Sequence, residues 1–190
     1  MHQDHKQEEL TIDMAKANLA ALFYFIFFFI VFGVPYFLLW AKTNAIESYK
    51  ELVVDLGVYK LLKVFIVILL GIIVHELIHG VTWALFAKKG FKSISFGVTW
   101  KYMSPYCHCN ELLAVKHYLV GAIMPGIVLG IIPLLLALVT GNIQLFLFGI
   151  TFSVAATADL MMVNMLRKER MNSLVQDHSD KVGCFIYRAL

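Results

Sequence analysis

Two histidines and a glutamate stand within five residues of one another, in the run His75-Glu76-Leu77-Ile78-His79. On an α-helix, residues four apart share a face, so His75 and His79 project side by side toward one point. Two neutral imidazoles there supply two ligands for a tetrahedral zinc ion, Zn2+. Glu76 follows the first histidine directly, where its carboxylate can take a proton from a water beside the metal and pass it to a leaving amine. Chance alone produces His-Glu-x-x-His in roughly one chain in a hundred of this composition. The surroundings of the motif therefore have to decide its meaning.

Those surroundings are apolar. Of 190 residues, 60% are hydrophobic and 15% charged, with a mean hydropathy of +0.76. Soluble domains run nearer about 45–50% apolar and about 25% charged, so the excess points to a lipid bilayer. A net charge of +3 gives no argument for nucleic acid. Ionisable groups inside a membrane span cost about 2.5–3.5 kcal/mol each on insertion scales. Three of them in five residues are expensive to carry as a mere polar seam between helices, and a functional reading is favoured.

Four segments are long and apolar enough to cross about 30 Å of hydrocarbon: residues 19–40, 61–87, 118–140 and 143–166. The expected fold is an all-α membrane protein, one domain over residues 1–190, built as a bundle of about four transmembrane helices. The first span has seven phenylalanines and no charge. It follows a leader carrying Asp4, Glu8, Glu9 and Asp13, unlike the basic start of a signal peptide, so a retained anchor is expected. Within the loop 91–110, the run Phe91 to Trp100 alternates β-branched and aromatic residues in part, which reads as a small β-hairpin at the membrane surface. Lysines and arginines orient the bundle. Leader, middle loop and tail together carry 12, against four in the loop before the second span (Lys42, Lys50, Lys60 and Lys63). The positive-inside rule then puts both termini in the cytoplasm, in a multi-pass protein of the cell inner or plasma membrane.

A catalytic zinc ordinarily takes three protein ligands and a water. Depth selects the third. His79 lies nine residues before Lys88 and Asp159 eight before Arg167, so each sits about 12–14 Å from the basic end of its span at 1.5 Å per residue. Asp159 is also the only ionisable residue of the fourth span. Glu111 and His117 are rival ligands at or outside the interface. Pro125 falls at a similar depth in the third span and either opens room beside the metal or kinks the helix for packing. Cys107-His108-Cys109 offers metal-friendly side chains, but neighbouring residues rarely give three ligands to one ion, and a free-thiol loop is the better reading. Three cysteines make no even framework and are expected reduced. His178 reads as a solvated tail histidine, and Met161, Met162 and Met165 as packing.

The run His75-Glu76-Leu77-Ile78-His79-Gly80, the later span with its intramembrane Asp159, and the tail Asp177-His178-Ser179-Asp180-Lys181-Val182-Gly183 resemble the bacterial putative zincin peptidase family of small membrane proteins. That family is in turn similar to the site-2 protease group of intramembrane metalloproteases. The resemblance runs from about Leu61 to Gly183. It implies that His75, His79 and Asp159 bind zinc, that Glu76 is the general base, and that the substrate is a membrane-associated protein cut near the cytoplasmic interface after pairing with a strand of the middle loop. One departure is the order Ala158-Asp159-Leu160, where site-2 proteases commonly have Leu-Asp-Gly.

The expected function is a zinc-dependent intramembrane or membrane-interface endopeptidase. The alternative is a non-enzymatic metal-binding membrane scaffold or regulator. Four spans without paired repeats offer little for a transporter.

Overall fold

A computed structural model describes residues 5–41, 58–100, 104–178 and 181–189. Of the basic residues that orient the bundle, Lys42, Lys50 and Lys101 lie outside these, as do Ser179 and Asp180 of the tail motif. The chain opens with strand β1 (His5–Thr11) and then helix α1 (Met14–Phe28), whose first turn is capped by Asp13 accepting from the Lys16 N–H. A π-helical turn, Phe29–Gly33, joins α1 to α2 (Val34–Trp40). Helix α3 (Val58–Ala84) stops three residues short of its expected end. Strands β2 (Ile94–Thr99) and β3 (Ser104–Cys109) follow, then the short β4 (Leu113–Ala114). Helix α4 (Val115–Pro125) passes through a π-helical stretch, Gly126–Ile131, into α5 (Ile132–Thr140). Helices α6 (Ile143–Ala155) and α7 (Thr157–Leu166) precede β5 (Leu174–Asp177) and β6 (Gly183–Ala189).

Three helical runs, Ala15–Trp40, Val58–Ala84 and Val115–Thr140, are long and apolar enough to cross a membrane. The third is the central one. Within its most apolar stretch 39% of residues are buried, against 17% and 11% in the first two, whose outward leucines, valines and phenylalanines stand exposed as a lipid-facing surface must. The expected straight fourth span at 143–166 is instead two helices bent by 46°. The break falls at Ala156, where the backbone leaves the helical region at φ −74°, ψ 14°.

The all-α expectation is corrected by two antiparallel sheets. The hairpin read in residues 91–110 is present as β2 paired with β3, from Ile94 opposite Cys109 to Thr99 opposite Ser104. The second sheet has four strands in the order β1-β6-β5-β4. It pairs the leader with the tail along seven residues, His5 opposite Ala189 through Thr11 opposite Gly183. Strands of two to seven residues carry too weak an alternation to stand out beside apolar runs of twenty. Charge reinforces the pairing: Arg188 makes two hydrogen bonds to Glu169, at 2.8 and 2.7 Å, and one to Glu8. Lys181 reaches Glu9 at 2.6 Å.

Two cores hold these parts together. One packs Trp83, Tyr118, Met162 and Leu166 from the helices against Val175, Cys184 and Ile186 of the sheet. The other lies at the far end, where Tyr36, Leu134 and Phe146 meet. There Tyr36 Oη donates to the Gly141 carbonyl at 2.7 Å and Trp40 Nε1 to the Leu138 carbonyl at 3.0 Å. These bonds satisfy carbonyls left open at the end of α5.

Candidate metal centre

Helix α3 carries His75 and His79 one turn apart, 8% and 4% exposed. Asp159 comes from the first turn of α7, directly after the bend. Its carboxylate oxygens face one histidine each: Oδ2 is 3.2 Å from His75 Nε2, and Oδ1 is 3.3 Å from His79 Nε2. Ligand atoms bound about 2.1 Å from a tetrahedral zinc stand about 3.4 Å from one another. The observed separations are close to that value, each to a different oxygen of Asp159, and one ligand atom from each of the three residues lies within 4.8 Å of the others. Among the described residues these three form the one group of histidine, cysteine and acidic side chains able to share a metal ion.

The donor chemistry supports the same reading. His79 Nδ1 lies 2.9 Å from the Gly121 carbonyl. A carbonyl only accepts, so Nδ1 carries the proton, and in the neutral imidazole Nε2 is then the atom that can ligate a metal shared with Asp159. His75 is held differently: its Nδ1 is buried and has no hydrogen-bond partner among the described residues.

Glu76 lines the same cavity of about 290 Å³ as the three side chains. Its carboxylate takes a hydrogen bond from the Cys107 backbone N–H, so β3 fixes its orientation. Hairpin and helix approach this closely because residue 80 is glycine: a Cβ there would lie 2.5 Å from the Phe96 ring. Pro105 and His108 line the cavity from the hairpin side, Ile12, Lys181 and Val182 from the sheet side, and Trp83, Tyr118 and Met162 from the helices.

A row of supporting residues extends behind the histidines. Trp83 stacks on His79 at 5.0 Å and on Tyr118 at 5.1 Å, and its Nε1 donates to the Tyr118 carbonyl at 3.1 Å. Tyr118 Oη donates to Asp177 Oδ1 at 2.6 Å, while the Cys109 N–H donates to Asp177 Oδ2 at 2.7 Å. Burial pushes the Asp177 carboxyl up, and those two hydrogen bonds oppose the rise. Trp83 is legible in the sequence as the next member of the series 75, 79, 83, one helix face. Asp177 is not, since it lies 98 residues beyond His79 and enters only through the resemblance of the tail.

Gly121 serves both rows, since its carbonyl accepts from His79 and a Cβ there would lie 2.0 Å from Trp83 Nε1. Gly121→Ala is therefore expected to displace Trp83 and loosen His79, costing about 1–3 kcal/mol of stability. Zinc affinity is expected to fall about 10- to 100-fold, as for loss of an outer hydrogen bond. Thermal unfolding and a competitive zinc titration check the two effects separately.

The other side chains that the sequence singles out lie outside the metal group. Glu111 accepts from the Lys88 and Lys89 N–H groups at 2.8 and 3.1 Å and from the Ser93 hydroxyl at 2.6 Å, so it ties down the turn after α3. His117 stacks on Phe86 at 4.2 Å. Neither joins the His75, His79 and Asp159 group. Cys107 and Cys109 are buried free thiols, and burial first, then nearby carboxylates, push both up. His178 is the clearest correction: it is 7% exposed, stacks on Phe185 at 4.8 Å, faces Glu9 at 3.2 Å, and its Nδ1 accepts from the Lys181 N–H. It staples leader to tail rather than standing in solvent. Pro125 is buried, leads into the π-helical stretch and is not on the cavity wall, which favours its packing role. Met161, Met162 and Met165 pack in the core.

Residues 68–174 match a protein family described as "Putative zincin peptidase". That stretch is more than half of the 190 residues and contains the whole His75, Glu76, His79 and Asp159 cluster. The chain belongs to this family. Zinc and a peptidase activity are what the family's description names, and the His-His-Asp group is a place where such a metal fits. Asp177 lies just past the matched residues. No curated protein and no solved structure matches the chain.

Proposed function

We propose that this protein is a zinc-dependent endopeptidase that hydrolyses a peptide bond of a membrane-associated protein at the cytoplasmic surface of the cell membrane. The observation that carries the reading is the convergence of His75, His79 and Asp159 beside Glu76 on one cavity wall. His75 Nε2, His79 Nε2 and an Asp159 oxygen would hold the metal. Zinc bound there would supply a Lewis acid for the scissile carbonyl and lower the pKa of water toward about 7. Glu76, oriented by the Cys107 N–H, takes the proton of the attacking water and returns it to the leaving amine. Asp159 and the Gly121 carbonyl keep the imidazoles in place through the cycle. In purified protein we expect one zinc per chain, and cleavage of a membrane protein that stops on chelation and returns with zinc. Cleavage untouched by complete removal of the metal would overturn the reading.

Topology supports the sidedness. Hydrogen-bonded strands cannot straddle hydrocarbon, and one sheet unites the leader strand β1, β4 beyond the middle loop, and the tail strands β5 and β6. All three segments then share one membrane face. The bent pair α6 and α7 must return the chain to that face after α5, acting together as a fourth crossing. The excess of basic residues on those segments makes that face cytoplasmic. Fluorescent-protein fusions to either terminus are expected to fluoresce equally, as cytoplasmic fusions do. A dark fusion at one end only, with the chain intact, would contradict the shared face.

A further inference from the structure

Three carboxylates line the metal cavity: Glu76, Asp159 and Asp177. Asp159 belongs to the metal group and Glu76 is the proposed base, which leaves Asp177 without a part in the chemistry. It ends β5, opposite Cys184 of β6, and meets the hairpin at β3. The register of β3 decides what the hairpin can offer it. Asn110, one residue past the strand, sends its N–H back to the Ser93 carbonyl at 2.8 Å. In an antiparallel ladder alternate residues point the same way, so His108 and Tyr106 direct their N–H groups at β2, opposite Ser95 and Gly97. Residues 105, 107 and 109 face away from β2, and a proline at 105 has no N–H. The outward edge of β3 thus holds two donors, about 6.8 Å apart along the strand. Cys107 donates to Glu76, and Cys109 donates to Asp177 Oδ2 at 2.7 Å. Both cysteines are buried, so each N–H needs its acceptor.

We propose that Asp177 is a positioning residue for Glu76: it anchors β3 through the Cys109 N–H, and the same strand edge, two residues away, holds the Glu76 carboxylate in its working orientation. The inference rests on Glu76 being the general base. Asp177 is itself fixed from the helical side, because its Oδ1 accepts from the Tyr118 hydroxyl of α4 at 2.6 Å. One carboxylate therefore ties sheet, hairpin and helix together beside the base. Each of its oxygens already holds a donor, so it acts through the geometry of its hydrogen bonds and not through its charge.

The test uses the full zinc-loaded chain and separates geometry from charge. In Asp177→Asn the oxygen can accept from Cys109 while the amide donates to the Tyr118 hydroxyl, so both contacts survive without the charge. Asp177→Glu keeps the charge and displaces it by one methylene. Asp177→Asn should hold kcat within about threefold of wild type. Asp177→Glu should lose about 10- to 100-fold in kcat, with KM and the single zinc unchanged. Amide exchange, resolved residue by residue by mass spectrometry, reads the coupling without any substrate. Asp177→Glu and Asp177→Ala should speed exchange at both Cys109 and Cys107 about tenfold or more, and Asp177→Asn should not. Glu76→Ala should speed Cys107 alone. Gln176→Ala removes an exposed contact of the same sheet with the hairpin, from Gln176 Nε2 to the Asn110 carbonyl at 3.2 Å, and should leave Cys107 as in wild type. An active Asp177→Glu beside an inactive Asp177→Asn overturns the proposal, by making charge the working property. Unchanged Cys107 exchange in Asp177→Ala overturns it as well, as does equal speeding in Gln176→Ala. A wild type that cleaves nothing would tell against the peptidase reading, with the exchange results still deciding whether Asp177 holds β3.

Discussion

Glu76→Gln is expected to lower peptide hydrolysis about 100- to 10,000-fold while zinc stays at one per chain. The amide keeps the size and position of the side chain, and its oxygen still accepts the hydrogen bond from the Cys107 backbone. What it loses is the ability to take a proton from water. The metal should be unaffected because Glu76 is outside the His75, His79 and Asp159 group. Its neighbours on the helix surface contribute little: Leu77 is exposed and Ile78 partly so. The measurement pairs cleavage of a membrane-protein substrate with metal analysis of the same preparation. Full activity with zinc present would remove Glu76 from the chemistry. Loss of zinc together with activity would instead make it a ligand.

The second large effect is on the metal itself. Asp159→Ala removes the one carboxylate that faces both imidazoles, at 3.2 and 3.3 Å. Two ligands remain on one helix turn, with nothing opposite them to close the site. Loss of an outer-shell partner costs about 10- to 100-fold in affinity, and loss of a direct ligand should exceed that. Purified Asp159→Ala is therefore expected to retain well under one zinc per chain. Asp159→Asn keeps an oxygen at the same place without the charge and should fall between the two. A full zinc complement in Asp159→Ala would move the third ligand elsewhere, and among the described residues Glu111 and His117 are already occupied in other contacts.

The metal-centre argument joins local and distant information in unequal parts. His75, Glu76 and His79 sit within one helical turn and a residue, so their mutual placement follows from the α-helix alone. Asp159 is 84 residues from His75, yet its depth could be counted, because a membrane span gives each residue a coordinate along one axis. The bilayer reduces a three-dimensional question to one dimension, and the cost of an ionisable group in hydrocarbon does the rest. No such coordinate exists for Asp177, which lies beyond the last span, and depth alone does not show what Tyr118 or the Gly121 carbonyl touches. Their roles depend on how β5 lies against β3 and how close α4 comes to Trp83.

The motif, the apolar runs long enough for a membrane, the hairpin and the pairing of His75 and His79 were all determined by the sequence itself. Each is set by residues near one another along the chain, through helical or strand periodicity and the cost of polar groups in lipid. Only the tertiary structure decided that the supposed fourth span bends by 46° immediately before Asp159. The same holds for the leader pairing with the tail in a four-stranded sheet, and for His178 being buried within that junction. The leader–tail pairing and the contact of His178 with Glu9 join residues more than a hundred positions apart. Strands this short leave only a weak alternation, and a hydrogen bond between distant backbones leaves no signature in the sequence. The bend brings the Asp159 carboxylate against both imidazoles, while the sheet closes the cavity over it.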